Sequence, residues 1–237
     1  IRRLMAINIL KRMESSVYSF RLTVARVRAS IAAVLDKIYR YTQHRLANAQ
    51  IETGADIDST DFDMEEEIFN VGKKVPISLA DMDIVSWGNS LERDKERLDE
   101  LLALVQGITP EQDNKLHELF KLIDNKIQHP LNAGNKKIII FTAFADTAQY
   151  LYEHVSVYAK EKFGLNTAMI TGTVDGRSTI PKLRCDFNTV LTCFAPLAKD
   201  KAMLFPEDNN EIDILIATDC ISEGQNLQDC DYLVNYD

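Results

Sequence analysis

Residues 213–237 read "DILIATDCISEGQNLQDCDYLVNYD". The apolar run Ile214–Ala217 breaks into Thr218-Asp219, then Glu223-Gly224, then Asn226-Leu227-Gln228, before a second apolar run closes at Asp237. A short uninterrupted apolar run followed by small polar groups reads as a buried strand that opens into a loop. Gly224 lets the backbone come close to a ligand or take a positive φ, and Asn226 brings both a donor and an acceptor suited to a sugar hydroxyl or a base edge. An ordinary turn with a helix cap uses the same residue types, because Ser222, Gly224 and Asn226 are all frequent in turns. The residues alone leave both readings open.

Upstream, the same pattern repeats. "KKIIIFTAF" (136–144) is an apolar run of strand length, followed by the helical stretch "ADTAQYLYEHVSVYAKEKFG" (145–164), in which Asp146 or a near neighbour is the expected cap and Gly164 the end. "NTAMITG" (166–172) predicts a second strand, Ser178 to about Leu191 a further helix, "EIDILIATD" (211–219) a third strand and "DYLVNYD" (231–237) a fourth. Strands alternating with helices imply a parallel sheet with helices on both faces, and in such sheets ligands bind beyond the carboxyl ends of the strands. Three of those ends carry a threonine: Thr142, Thr171 and Thr218. Hydroxyls with nearby backbone N–H groups hold phosphates without a positive charge. One strand-end threonine would mean little, whereas three in register form a candidate nucleic-acid contact.

Residues 1–135 belong to another class. Val17, Phe20, Val24, Val27, Ile31, Val34, Ile38 and Tyr41 alternate steps of three and four, which is one stripe on a long helix. Residues of about 48–79 are acidic and rich in Ser, Thr and Gly, and read as a mobile connection. Within them Gly72-Lys73 lacks the following Ser or Thr and the preceding glycine of a phosphate-binding loop, so it is not one. Leu91, Leu98, Leu101, Leu102 and Val105 mark another helix, and Leu116, Leu119, Phe120, Ile123 and Ile127 a third. Thr109, Pro110 and Gln112 predict a capping box at the start of the latter, and Pro130 its close.

Composition narrows the function. The 237 residues carry a net charge of -9 with a pI near 5.0, which is unlike a generic nucleic-acid coat. The average hides a basic block between Arg2 and Arg45 and a purely acidic one from Glu52 to Glu67; solvated helix faces are the first reading of both, a basic nucleic-acid face the second. The four cysteines show neither a Cys-x-x-Cys pair nor a metal-like spacing, so reduced, packed thiols in a cytoplasmic protein are expected, and no zinc site. No apolar run is long enough to span a bilayer.

The motifs resemble those of a known family. "ILIATDCISEGQNLQDCDYLVNYD" is similar to motif V of superfamily-two helicases and translocases, in the Ser-Glu-Gly-x-Asn-Leu-Gln form of the branch that includes RapA-like proteins and chromatin-remodelling ATPases. "IIIFTAFADTAQYL" resembles motif IV, "MITG" the strand-end motif between them, and "RRLMAINILKRMESSVYSFRLTV" the helical connector that precedes this lobe in bacterial members. The resemblance implies a RecA-like parallel sheet over 136–237, covering motifs IV to V, behind a helical connector at 1–135. It also implies a piece of a motor, since motif VI, the nucleotide-binding loop and the magnesium-binding motif of a first lobe are not in the sequence. By analogy, Thr142, Thr171 and Thr218 contact the backbone of the tracked strand, Gly224 and Asn226 face ATP and magnesium across the cleft between lobes, and no catalytic or metal-ligating residue lies in this chain. Duplex DNA is the implied track and RNA the second candidate. The missing first lobe is the implied partner, and RNA polymerase, as in RapA-like members, a further candidate. The 173–211 stretch exceeds a simple crossover and reads as a branch-specific insertion, which puts the role of Thr171 in question. A non-catalytic interaction module built on amphipathic helices and a degenerate lobe is the alternative from another class.

Overall fold

The computed structural model describes residues 2–51, 70–71, 77–221 and 225–237. They divide into two compact units, one of Ile1–Leu22 with Ile108–Asp237 and one of Thr23–Gly107. The unit that holds the large sheet therefore draws helical residues from both ends of the N-terminal half.

That sheet has five strands in the order β5-β4-β6-β3-β7, with β3 Ile138–Phe141, β4 Thr167–Ile170, β5 Arg177–Ser178, β6 Ile214–Ala217 and β7 Leu233–Asn235. Four of them run parallel, and the short β5 closes one edge antiparallel to β4. The central strands read IIIF, TAMI and ILIA because both of their faces are covered. Alternate residues go to opposite sides. Ile138, Ile140, Met169, Ile214 and Ile216 pack with Leu116, Ile123, Leu151 and Val155 from helices α4 (Asn114–Gln128) and α5 (Ala145–Phe163), whereas Ile139, Ala168, Ile170, Leu215 and Ala217 pack with Val190, Leu191 and Phe194 from α6 (Phe187–Phe194). Two apolar layers thus clamp one sheet. The α/β class read from the sequence is the one observed.

Local signals explain several helix ends. Gly164, at φ 70°, closes α5 by returning its N–H to the Ala159 and Lys160 carbonyls. The start of α5 differs from expectation: Phe144 is the cap residue and makes no side-chain bond, while Asp146 lies in the first turn and takes a hydrogen bond from Arg12 at 2.9 Å. Thr109, Pro110 and Gln112 open a short 3-10 turn rather than α4 itself, with Gln112 accepting the Thr109 N–H at 3.4 Å; the cap of α4 is Asp113, which accepts from the Leu116 N–H. The helix expected over Ser178–Leu191 is shorter. Arg177 and Ser178 pair with β4, Pro181 interrupts any helix behind them, and α6 begins only where Asp186 accepts the Thr189 N–H at 3.1 Å. The four-residue helix α7, Lys201–Leu204, follows.

Helix α1 (Arg2–Ser15) and helix α2 (Val17–Ile51) meet at Ser16, whose hydroxyl accepts the Ser19 N–H at 3.0 Å. The Ser15 and Ser16 hydroxyls bond Thr147 on α5 at 2.7 and 3.0 Å, which fastens α1 to the sheet unit. In the second unit the continuation of α2 carries the stripe from Val27 to Tyr41 half-buried, as its three-and-four spacing predicts. Helix α3, Ile84–Gln106, is joined to it by Arg28 on Asp99 at 2.7 Å. The segment read as mobile, 48–79, begins inside α2 and ends in a two-residue ladder of β1 (Asn70–Val71) with β2 (Ile77–Ser78); the rest of it, residues 52–69 and 72–76, lies outside the described residues. Among the described residues no helix is long and apolar enough to cross a membrane.

Candidate nucleic-acid interface

The register of the sheet puts the three threonines in a row. Phe141 and Ile170 both pair with Ala217, so the residues that follow, Thr142, Thr171 and Thr218, end the adjacent strands β3, β4 and β6 at one level. Backbone bonds fix the row: the Thr142 N–H donates to Ala217 O at 3.0 Å and the Thr218 N–H to Ile170 O at 3.3 Å. The structure thus brings together three side chains that lie far apart in sequence.

Their hydroxyls, however, face the protein. Thr142 is 3% exposed and donates to Asp237 Oδ2 at 2.9 Å; Thr218 is 8% exposed and lies 3.6 Å from Cys220 Sγ. Thr171, half-buried, closes a tight loop by donating to Val174 O at 3.0 Å and accepting the Val174 N–H at 2.9 Å. Each hydroxyl shapes the loop behind its strand. What the row offers outward is loop backbone and short exposed side chains such as Ala143 and Thr173.

Beside Thr171 the loop borders a shallow cavity of about 360 Å³, lined by Gly172, Thr173, Gly176, Cys185 and Phe187 among others. A Cβ on Gly176 would overlap the Cys185 carbonyl oxygen, so glycine is required for that wall to close. Burial pushes the Cys185 thiol up, which keeps it protonated and unreactive near neutrality.

The loop after β6 is seen in part. Asp219–Ile221 form a 3-10 turn; Gly224, with Ser222 and Glu223, lies outside the described residues. Asn226 is exposed, and its Oδ1 accepts the Gln228 N–H at 3.4 Å. Its Nδ2 makes no hydrogen bond within the described residues and is a donor suited to a nucleotide. Gln225 and Asp229 turn out to anchor this loop to the 173–211 stretch: Lys199 Nζ donates to Gln225 Oε1 at 2.8 Å, and the Asp229 carboxylate accepts the Leu197 and Ala198 N–H groups at 2.7 and 2.9 Å. Neither brace carries a local signal, because its halves are 26 to 32 residues apart.

Electrostatically the row is acidic rather than basic, with the Asp237 carboxylate on Thr142 and Asp219 next to Thr218. In the N-terminal block Arg12, Arg28 and Arg40 are held by Asp146, Asp99 and Asp36, which favours the reading of that block as ordinary helix faces. Among the described residues no cluster of His, Cys, Asp or Glu could hold a metal ion. All four cysteines are free, with Cys193 buried and Cys220 exposed.

Comparison with known proteins adds the family. No curated protein matches the chain. The model of the helicase conserved C-terminal domain matches residues 114–237, which is more than half of the 237 residues and includes α4, the whole five-stranded sheet and the loop after β6. With this match and the observed sheet, the chain belongs to the helicase C-terminal domain family and holds the RecA-like lobe of a helicase-type motor.

Proposed function

We propose that this chain is the second motor lobe of an ATP-dependent DNA translocase of the RapA-like and chromatin-remodeller-like branch. The observation that carries the reading is the row of Thr142, Thr171 and Thr218 on three adjacent parallel strands, next to the Asp219–Ile221 turn, at the end of the sheet where ligands of such folds gather. The Ser-Glu-Gly-x-Asn-Leu-Gln sequence supports the branch, and with it duplex DNA ahead of RNA as the track.

In this reading the lobe holds one strand through its backbone, by the loop N–H groups and short exposed side chains beyond the strand ends. Neutral donors suit a motor, which must release each phosphate as it grips the next. The threonine hydroxyls, bonded inward, hold the loops in the shape that presents those donors. Asn226 meets the nucleotide from across the cleft, and Gly224 lets the loop approach it. ATP with magnesium, held mainly by a first lobe, supplies the phosphoryl transfer that drives lobe closure; this lobe positions and stabilises charge.

The test uses a two-lobed protein that carries this lobe. Asn226→Ala removes a hydrogen bond made on closure, so ATPase turnover is expected to fall by roughly tenfold or more, as for a bond worth about 1.5–3 kcal/mol. Thr218→Val keeps the side-chain shape but loosens the loop, and weaker single-strand binding with less nucleic-acid stimulation is expected while basal ATPase holds. Wild-type stimulated turnover and strand affinity in both folded variants would leave the loop a mere turn and favour the interaction-module reading.

A further inference from the structure

The donors of Thr142 and Ala143 converge on a single oxygen. Asp237 Oδ2 accepts from the Thr142 hydroxyl at 2.9 Å and from the Ala143 N–H as well. The carboxylate is delivered there by the sheet: Asn235 pairs with Phe141, the Tyr236 N–H donates to Phe141 O at 2.8 Å, and the Tyr236 ring is buried, so the next residue lies beside Thr142. Among the described residues Asp237 makes no ion pair. Lys115, the cation whose charge reaches it, spends its donors on the Glu14 and Ser15 carbonyls at 2.8 and 3.0 Å.

A hydroxyl and an amide, placed just ahead of a 19-residue helix whose cap residue makes no side-chain bond, form a donor set for an anionic oxygen. Such donors do not distinguish a carboxylate oxygen from a phosphate oxygen. Ala143 is exposed, so its N–H opens to solvent when the carboxylate rotates away.

We propose that Asp237 is an internal competitor for the tracked strand: in the free lobe its carboxylate occupies the Thr142 and Ala143 donors, and a strand phosphate binds there by displacing it. The inference rests on the strand-contact reading above and adds a residue that lowers strand affinity at one subsite. Displacement breaks no salt bridge, only two bonds to neutral donors that the phosphate remakes. A phosphate at this subsite is therefore held less tightly, by the cost of displacing the carboxylate from the same two donors.

The test measures binding of a fluorescent oligothymidylate by anisotropy at low salt, with the 237-residue chain and its Asp237→Asn, Thr142→Val, Thr218→Val and doubly substituted Asp237→Asn/Thr142→Val variants. Asp237→Asn keeps the shape and removes the charge, so affinity is expected to rise about fivefold, the scale set by two like charges near contact in water. The gain should vanish when Thr142→Val is added. If Asp237→Asn binds as the wild type or more weakly while Thr142→Val and Thr218→Val lose affinity, the competition is overturned and the strand-contact reading stands. If no variant changes affinity, both fall. The unsubstituted chain gives an answer independent of variant folding: its Ala143 amide resonance must shift as oligothymidylate saturates it, and an unmoved resonance overturns the proposal.

Discussion

Gly164 sits at φ 70°, in the left-handed region that costs any residue with a Cβ. Nothing lies within 4 Å of where a Cβ would be, so substitution meets backbone strain and no clash. Gly164→Ala is expected to cost about 1–2 kcal/mol in urea unfolding with an unchanged slope. This residue was legible in the sequence because the end of an amphipathic run followed by glycine has one usual meaning. Asp237 was not. Its sequence neighbours mark the end of a strand, but the group it bonds is Thr142, 95 positions away. The three threonines are an intermediate case. Their place at strand ends could be read, and the inward direction of their hydroxyls could not, because it depends on partners supplied by other segments.

Helix α4 is tied to the segment before β7 by one buried ion pair, Lys126 Nζ to Asp231 Oδ1 at 2.5 Å, with the lysine side chain 0% and the aspartate 14% exposed. Asn132 donates to the other carboxylate oxygen from both its backbone and its side chain. Removing the anion strands a buried ammonium, so Asp231→Ala is expected to cost about 3–5 kcal/mol in thermal or denaturant unfolding; Lys126→Met leaves the carboxylate its Asn132 donors and should cost clearly less. Desolvation alone would raise the Asp231 carboxyl, but the bonds from Lys126 and Asn132 outweigh it and hold it below the ordinary carboxylate value. A depressed folded value contributes stability that is present above the unfolded value of about 3.9 and lost as pH falls through the folded one. The acid limb of the stability curve should therefore flatten in Asp231→Asn. Among the elements themselves, the doubly buried strands were the easiest to read, since IIIF and ILIA have no polar alternation to confuse them. Strand β5 was missed because two residues carry no period. The helix expected over Ser178–Leu191 runs across Pro181, and the cap residue Asp186 marks where the helix starts.

Taken whole, the chain is a helicase-type motor lobe whose sequence holds no phosphate-binding loop, and the purified 237-residue chain is expected to show no ATP turnover with or without nucleic acid. Phosphate release above background that depends on the chain and on added oligonucleotide would contradict this. Local order along the sequence was enough for the class of the sheet-bearing region, the positions of its parallel strands, the stop at Gly164 and the motifs that match the family model. These follow from short-range physics, in which an apolar run of given length and period has few structures open to it. Tertiary pairing alone fixed the rest: the antiparallel edge strand, the braces from Lys199 to Gln225 and from Asp229 to the Leu197 and Ala198 amides, and the carboxylate of Asp237 on the loop of Thr142. Each of these joins groups that no local period relates, and their meeting is set by strand order and register, which the whole core must form to define.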